Sequence, residues 1–127
     1  MQDLAYSAAA QDRRQPASMV SSVDVNGTDV YSPAGDHLGH IDHLMIDKAS
    51  GIIAYAVMSF GGFLGLGAGE HPLPWKKLSY ETRFGGYFTD VTPDQLQGAP
   101  TRSDRWYDDP DYARDSYTYY GISPYWM

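Results

Sequence analysis

The nine-residue run Ile52-Ile53-Ala54-Tyr55-Ala56-Val57-Met58-Ser59-Phe60 constrains the fold of this chain more than any other stretch. Successive residues of a strand point to opposite faces of a sheet. Ile53, Tyr55, Val57 and Ser59 then share one face, and Ile52, Ala54, Ala56, Met58 and Phe60 share the other. Both faces are largely apolar, so the pattern predicts a central strand covered on each side.

The run empties into SFGGFLGLGAGEHPLPW, Ser59 to Trp75, which packs five glycines between Gly61 and Gly69. Such a stretch is either a phosphate cradle or a bend. A phosphate-binding loop needs G-x-x-x-x-G-K followed by Ser or Thr. Gly62 and Gly67 have that spacing, but Ala68 stands where the lysine belongs. A dinucleotide fingerprint needs a third glycine opening a helix. After Gly65 and Gly67 that place holds Glu70, and Pro72 and Pro74 preclude a helix. The favoured reading is an apolar-tipped bend whose glycines admit positive φ. Phe63, Leu64 and Leu66 at its tip form a candidate contact patch.

Turn and cap signals divide the rest. Residues 1–19 are small and polar and read as a loose arm, with at most a marginal helix over Leu4 to Ala10. Residues 20–98 carry the strands. Thr28–Tyr31 precedes a turn at Ser32–Asp36, where Pro33 fixes φ and Gly35 frees it. GHIDHLMID follows, with Ile41, His43 and Met45 expected on one face and Asp42, Leu44 and Ile46 on the other. Lys48–Gly51 turns into the apolar strand. Pro72 and Pro74 predict a short or edge strand, and Trp75–Leu78 a single helical turn. Leu78–Thr82 and Tyr87–Val91 read as a hairpin closed by Gly85-Gly86. Thr92, Pro93, Gln95 and Gly98 occupy the N-cap, N1, N3 and stop positions of a short helix.

Residues 99–127 form an aromatic extension. Asp109 as N-cap, Pro110 at N1 and Gly121 as terminator delimit a helix of about three turns. Tyr112, Ser116, Tyr119 and Tyr120 are expected along one side of it. Residues 106–127 hold six Tyr and two Trp, a surface that needs covering by the chain's own sheet or by another subunit. Trp106, Tyr112, Tyr119, Tyr120, Tyr125 and Trp126 are therefore candidate contact residues.

Net charge is −7, with nine scattered Lys and Arg, so there is no basic footprint for nucleic acid. The absence of Cys excludes disulfides, thiolate metal sites and Cys nucleophiles and agrees with a reducing cytoplasm. Charged residues interrupt the N-terminal stretch, which fails the pattern of a secretory signal, and no run approaches a membrane span. The expectation is a cytoplasmic protein without direct membrane insertion.

The stretches GTDVYSPAGDHLGHIDHLMID, GIIAYAVMSFGGFLGLGAGEHPLPWKKLSYE and GYFTDVTPDQLQGAP together resemble the PRC-barrel family. That family is named for the cytoplasmic domain of the photosynthetic reaction-centre H subunit. It also includes a domain of ribosome maturation factors and stand-alone bacterial proteins. The resemblance covers roughly residues 27–100 and implies a mainly β fold: a small antiparallel barrel, often self-associating and without catalytic machinery, followed here by the aromatic helix and tail. The reaction-centre subunit's membrane helix and the maturation factors' additional β-domain have no counterpart in these residues, so neither function carries over directly.

His37, His40 and His43 recur at threes. On a helix they would share a face; on a strand His40 points away from the other two. His37 and His43 would then stand about 20 Å apart at about 3.3 Å per residue. They are a weak metal set even with His71 and the nearby oxygens of Asp36, Asp42 and Asp47. No nucleophile elbow is present and no catalytic residue is assigned. The expected function is a non-enzymatic interaction or scaffold module, homodimeric and binding a protein partner, without a cofactor. The alternatives are a His-based metal or small-ligand sensor and an accessory protein of a membrane electron-transfer complex.

Overall fold

A computed structural model describes residues 19–60 and 69–126. The N-terminal arm and the glycine-rich loop with Phe63, Leu64 and Leu66 lie outside the described residues.

Six strands form one mixed sheet: β1 (Asp29–Tyr31), β2 (His37–Ile46), β3 (Ile53–Phe60), β4 (Glu70–Pro74), β5 (Ser79–Glu81) and β6 (Gly86–Phe88). Their spatial order is β4-β3-β2-β1-β6-β5. Short helices cover Ser22–Val25 (α1), Pro93–Gln97 (α2) and Pro110–Tyr120 (α3), with 3₁₀ turns at Trp75–Lys77 and Trp106–Asp108. The expected mainly β fold is present, but two features of the expected antiparallel barrel are corrected. β1 and β6 pair in parallel, and the sheet stays open, with β4 and β5 as its edges.

The chain nevertheless forces the open sheet to curl. Five inter-strand spacings in a flat sheet put β4 and β5 about 24 Å apart. The link from Pro74 to Ser79 is five residue steps and spans at most about 18 Å, less where it coils into the 3₁₀ turn. The two ends of the sheet must therefore approach. Trp75, just after β4, meets the Tyr87 ring on β6 at 5.4 Å, and Lys77 pairs with Asp90 at 2.9 Å. The curled interior collects Val30, Leu38, Ile41, Met58, Phe60, Leu73 and Tyr87 from five strands. Gly39 lies close against β3: a Cβ there would collide with the Ser59 carbonyl oxygen.

β3 is central and buried on both faces, as its composition predicts. Strict alternation fails, however. Pairing of β2 with β3 steps from Ile41↔Met58 to His43↔Val57, skipping Asp42, and later from Met45↔Tyr55 to Ile46↔Ile53, skipping Ala54. Such an extra residue shifts the side-chain phase of its strand. Ile41 and Leu44 consequently join the interior, while Met45 packs with Ala54 and Tyr55 on the outer side.

The caps behave as their sequences dictate. Thr92 and Gln95 make a reciprocal capping box, Asp109 caps α3, and Gly121 ends it in the left-handed region. Gly85-Gly86 is not a two-residue loop: residues 82–85 turn, and Gly86 enters β6 against the Asp29 carbonyl. The return strand stops at Phe88 rather than Val91. α1, capped by Ser21, lies where no helix was expected.

α3 lies against its own sheet. Tyr112, Ser116, Tyr117 and Tyr120 are its buried residues; Tyr117 takes the place expected for Tyr119, which is exposed and donates to the Gln95 carbonyl at 2.8 Å. On the outer face of β3, Tyr55 meets Trp106, Tyr117 and Tyr112 at ring distances of 5.2, 5.6 and 6.3 Å. Burying one such ring contributes about 2–3 kcal/mol before the entropy of ordering the tail is subtracted. The Tyr117 hydroxyl donates to the Ala54 carbonyl at 2.6 Å, whereas the buried Tyr55 hydroxyl has no partner among the described residues. Tyr117→Phe should therefore lower stability by about 1–2 kcal/mol, and Tyr55→Phe should leave it unchanged or raise it. Urea unfolding of both variants checks this; equal losses would contradict the assignment.

Candidate functional site

The irregularity at Asp42 brings together a group of metal-ligating side chain types from β2 and β4. Neighbours along a regular strand face opposite ways. Because Asp42 has no partner on β3, Asp42 and His43 both reach the first residue of β4, Glu70. His43 Nδ1 lies 3.4 Å from an Asp42 carboxylate oxygen and 4.0 Å from a Glu70 oxygen. One ligating atom from each of the three lies within 4.8 Å of the others. All three side chains remain partly exposed.

The two carboxyl groups lie close together, which splits their acidities. Glu70 holds Asp42 below the usual aspartate range, with His43 adding to the effect, and Asp42 pushes Glu70 up, reinforced by desolvation. Glu70 is thus the weaker acid of the two. A mixed carboxylate and imidazole set of this kind can take a small divalent cation.

The four histidines do not converge. His37 pairs with Asp29 at 2.9 Å. His40 is exposed on β2 and acts on Asp42 only through its charge. His71 packs edge-on against Phe60 at 5.6 Å, and burial, with Arg102 nearby, pushes its pKa down. Only His43 joins the cluster. Of the nearby oxygens, Asp42 belongs to it, while Asp47 caps the β2–β3 turn through Ala49 and Ser50 and accepts from the Tyr125 hydroxyl at 3.0 Å. Sequence reasoning missed Glu70, whose approach depends on the pairing of β4 with β3, Ser59 opposite Glu70.

The aromatic candidates divide by exposure. Tyr112 and Tyr120 are buried within the chain, and Trp106 and Tyr125 are half-buried. Tyr119 and Trp126 are 40% and 43% exposed, leaving them accessible to another molecule. Tyr80 and Phe84, beside the free β5 edge, are also exposed.

The split acidities give a direct prediction. Carboxyl carbon NMR should show Glu70 titrating above, and Asp42 below, their ordinary ranges. Glu70→Ala should move Asp42 upward, because the neighbour whose interaction lowers it is gone. Ordinary titration of both groups would refute the pairing.

Comparison with known proteins agrees with the fold. The PRC-barrel domain model matches residues 18–96, more than half of the chain. No curated protein matches it. Among the described residues no helix is long and apolar enough to cross a membrane. With its curled six-stranded sheet and this match, the chain belongs to the PRC-barrel family.

Proposed function

We propose that this protein is a non-catalytic interaction module that self-associates and docks a protein partner. PRC-barrel domains are in general non-catalytic and often mediate protein contacts. The observation that carries the reading is the set of large apolar side chains left exposed on a rigid framework: Tyr80 and Phe84 at the free sheet edge, Tyr119 and Trp126 on the C-terminal extension. Aromatic anchors supply much of the energy of protein interfaces. Phe63, Leu64 and Leu66 of the glycine-rich loop, outside the described residues, are proposed as further contact residues. The curled sheet within residues 20–98 is the framework, and the aromatic extension after residue 98 lies over one of its faces while offering exposed rings.

The expected result of light scattering during size exclusion is a dimer. Phe63→Ser with Leu66→Ser, or Trp126→Ser, should weaken it by about ten-fold or more while the thermal midpoint of the isolated chain is retained. A strict monomer at all concentrations, with unaltered solubility in the double variant, would overturn the reading.

The convergence of Asp42, His43 and Glu70 favours cation binding as a second reading. Zinc or manganese should then raise the melting temperature of the wild type and leave Asp42→Asn unaffected. No shift in the wild type at metal well above micromolar concentration would remove it.

A further inference from the structure

Beside the β2–β3 turn lies a cavity of about 270 Å³ walled by Ile52, Ile53, Trp75, Lys76, Tyr117 and Tyr125. The polar groups nearest to it are already used. The Tyr117 hydroxyl donates to the Ala54 carbonyl at 2.6 Å, and the Tyr125 hydroxyl donates to Asp47 at 3.0 Å. The Ile52 N–H donates to the Ser50 hydroxyl at 3.2 Å, and the Ile52 carbonyl accepts from the Asp47 N–H at 2.8 Å. What remains to line the hollow is mainly ring and aliphatic surface. Apolar surface also continues outward from it: Ile52 itself is exposed, and so is Ile46, the cross-strand partner of Ile53.

Charge is left over at the same place. Lys77, Arg83, Arg105 and Arg114 each pair with a carboxylate, and Arg102 donates to the Glu70 carbonyl. Lys48 and Lys76 are exposed and have no such partner among the described residues. Lys76 lines the cavity. Lys48 sits in the turn that Gly51 closes by donating to the Asp47 carbonyl at 2.7 Å, and Gly51 also borders the cavity. Two unpaired cations of a chain with net charge −7 therefore flank one apolar recess. The carboxylate of that turn, Asp47, is occupied by the N–H groups of Ala49 and Ser50 and by the Tyr125 hydroxyl.

We propose that this face docks an acidic peptide segment of a partner protein, one large apolar side chain seated in the cavity and its acidic neighbours set against Lys48 and Lys76. A buried anchor in a pocket carries most of the energy of such a contact, and the charges around it select the partner. The volume lies below the range of sites that take a whole drug-sized molecule, which suits a single side chain. A recess also suits a discrete side chain better than a lipid surface. This inference rests on the docking of a protein partner proposed above and is independent of self-association.

The test uses the full chain and a fluorescently labelled peptide, Glu-Asp-Glu-X-Asp-Glu-Asp, with Leu, Phe or Trp at X. Controls carry Ser at X or Lys in place of every acid. At least one acidic peptide should bind, raise its anisotropy and move the amide NMR signals of Gly51, Ile52 and Lys76. Ser at X should weaken binding about ten-fold, and so should Lys48→Glu with Lys76→Glu, whose side chains are exposed and leave the fold intact. Added salt should weaken it further. The inference is overturned if no acidic peptide binds, if the Lys peptide binds equally well, or if the double variant binds undiminished. Retention on phosphatidylglycerol vesicles without a peptide response would assign the face to a lipid surface instead. A dimer lost in the double variant without a peptide response would assign it to a second copy. A dimer with no peptide response overturns this inference and leaves self-association standing; a peptide response in a strict monomer does the reverse.

Discussion

The burial of β3 on both faces is the constraint on which the rest of this structure depends. Ala56, Met58 and Phe60 enter the curled interior, while Tyr55 forms the floor of the aromatic cluster outside. A strand that is apolar on both sides cannot lie on a two-layer surface with one face in water. The curled sheet covers one side. The other side is left for the extension, and α3 with Trp106 occupies it. The aromatic tail is thus the third layer of the domain, placed by the same strand that nucleates its interior.

The openness of the sheet has a related cause. β4 contains Pro72 and Pro74, which withhold backbone donors opposite Val57 and Tyr55. Such a strand suits an edge and is a poor candidate for closing a barrel by further pairing. Closure is made by side chains instead: Trp75 against Tyr87, and Lys77 with Asp90. The edge so left free is also where Glu70, His71 and Arg102 gather. The polar cluster therefore forms at the start of an edge strand with few backbone donors.

Much of the fold was legible because it rests on local chemistry. Pro33 and Gly35 specified their turn, Thr92 with Gln95 specified a capping box, and Asp109 with Gly121 bounded α3. The apolar run of β3 announced its two-sided burial. The face of α3 was less legible: Tyr117 and Tyr119 stand two positions apart, and only the location of Tyr55 and the Ala54 carbonyl selects Tyr117 for burial. The candidate site was legible only in part. His43 and Asp42 were visible as ligand types, but simple alternation set them on opposite faces, and Glu70 lay beyond the glycine-rich loop with no spacing to connect it.

The amino-acid sequence by itself determined the strands, the caps, the edge character of β4 and the membership of the family, because these follow from side-chain periodicity, proline and glycine geometry, and short-range hydrogen bonds. Tertiary structure alone decided the parallel pairing of β1 with β6, the phase shift at Asp42, and which rings of the tail are buried. Each of those depends on which distant segment lies alongside, and a one-residue slip in pairing reverses the direction of every side chain beyond it.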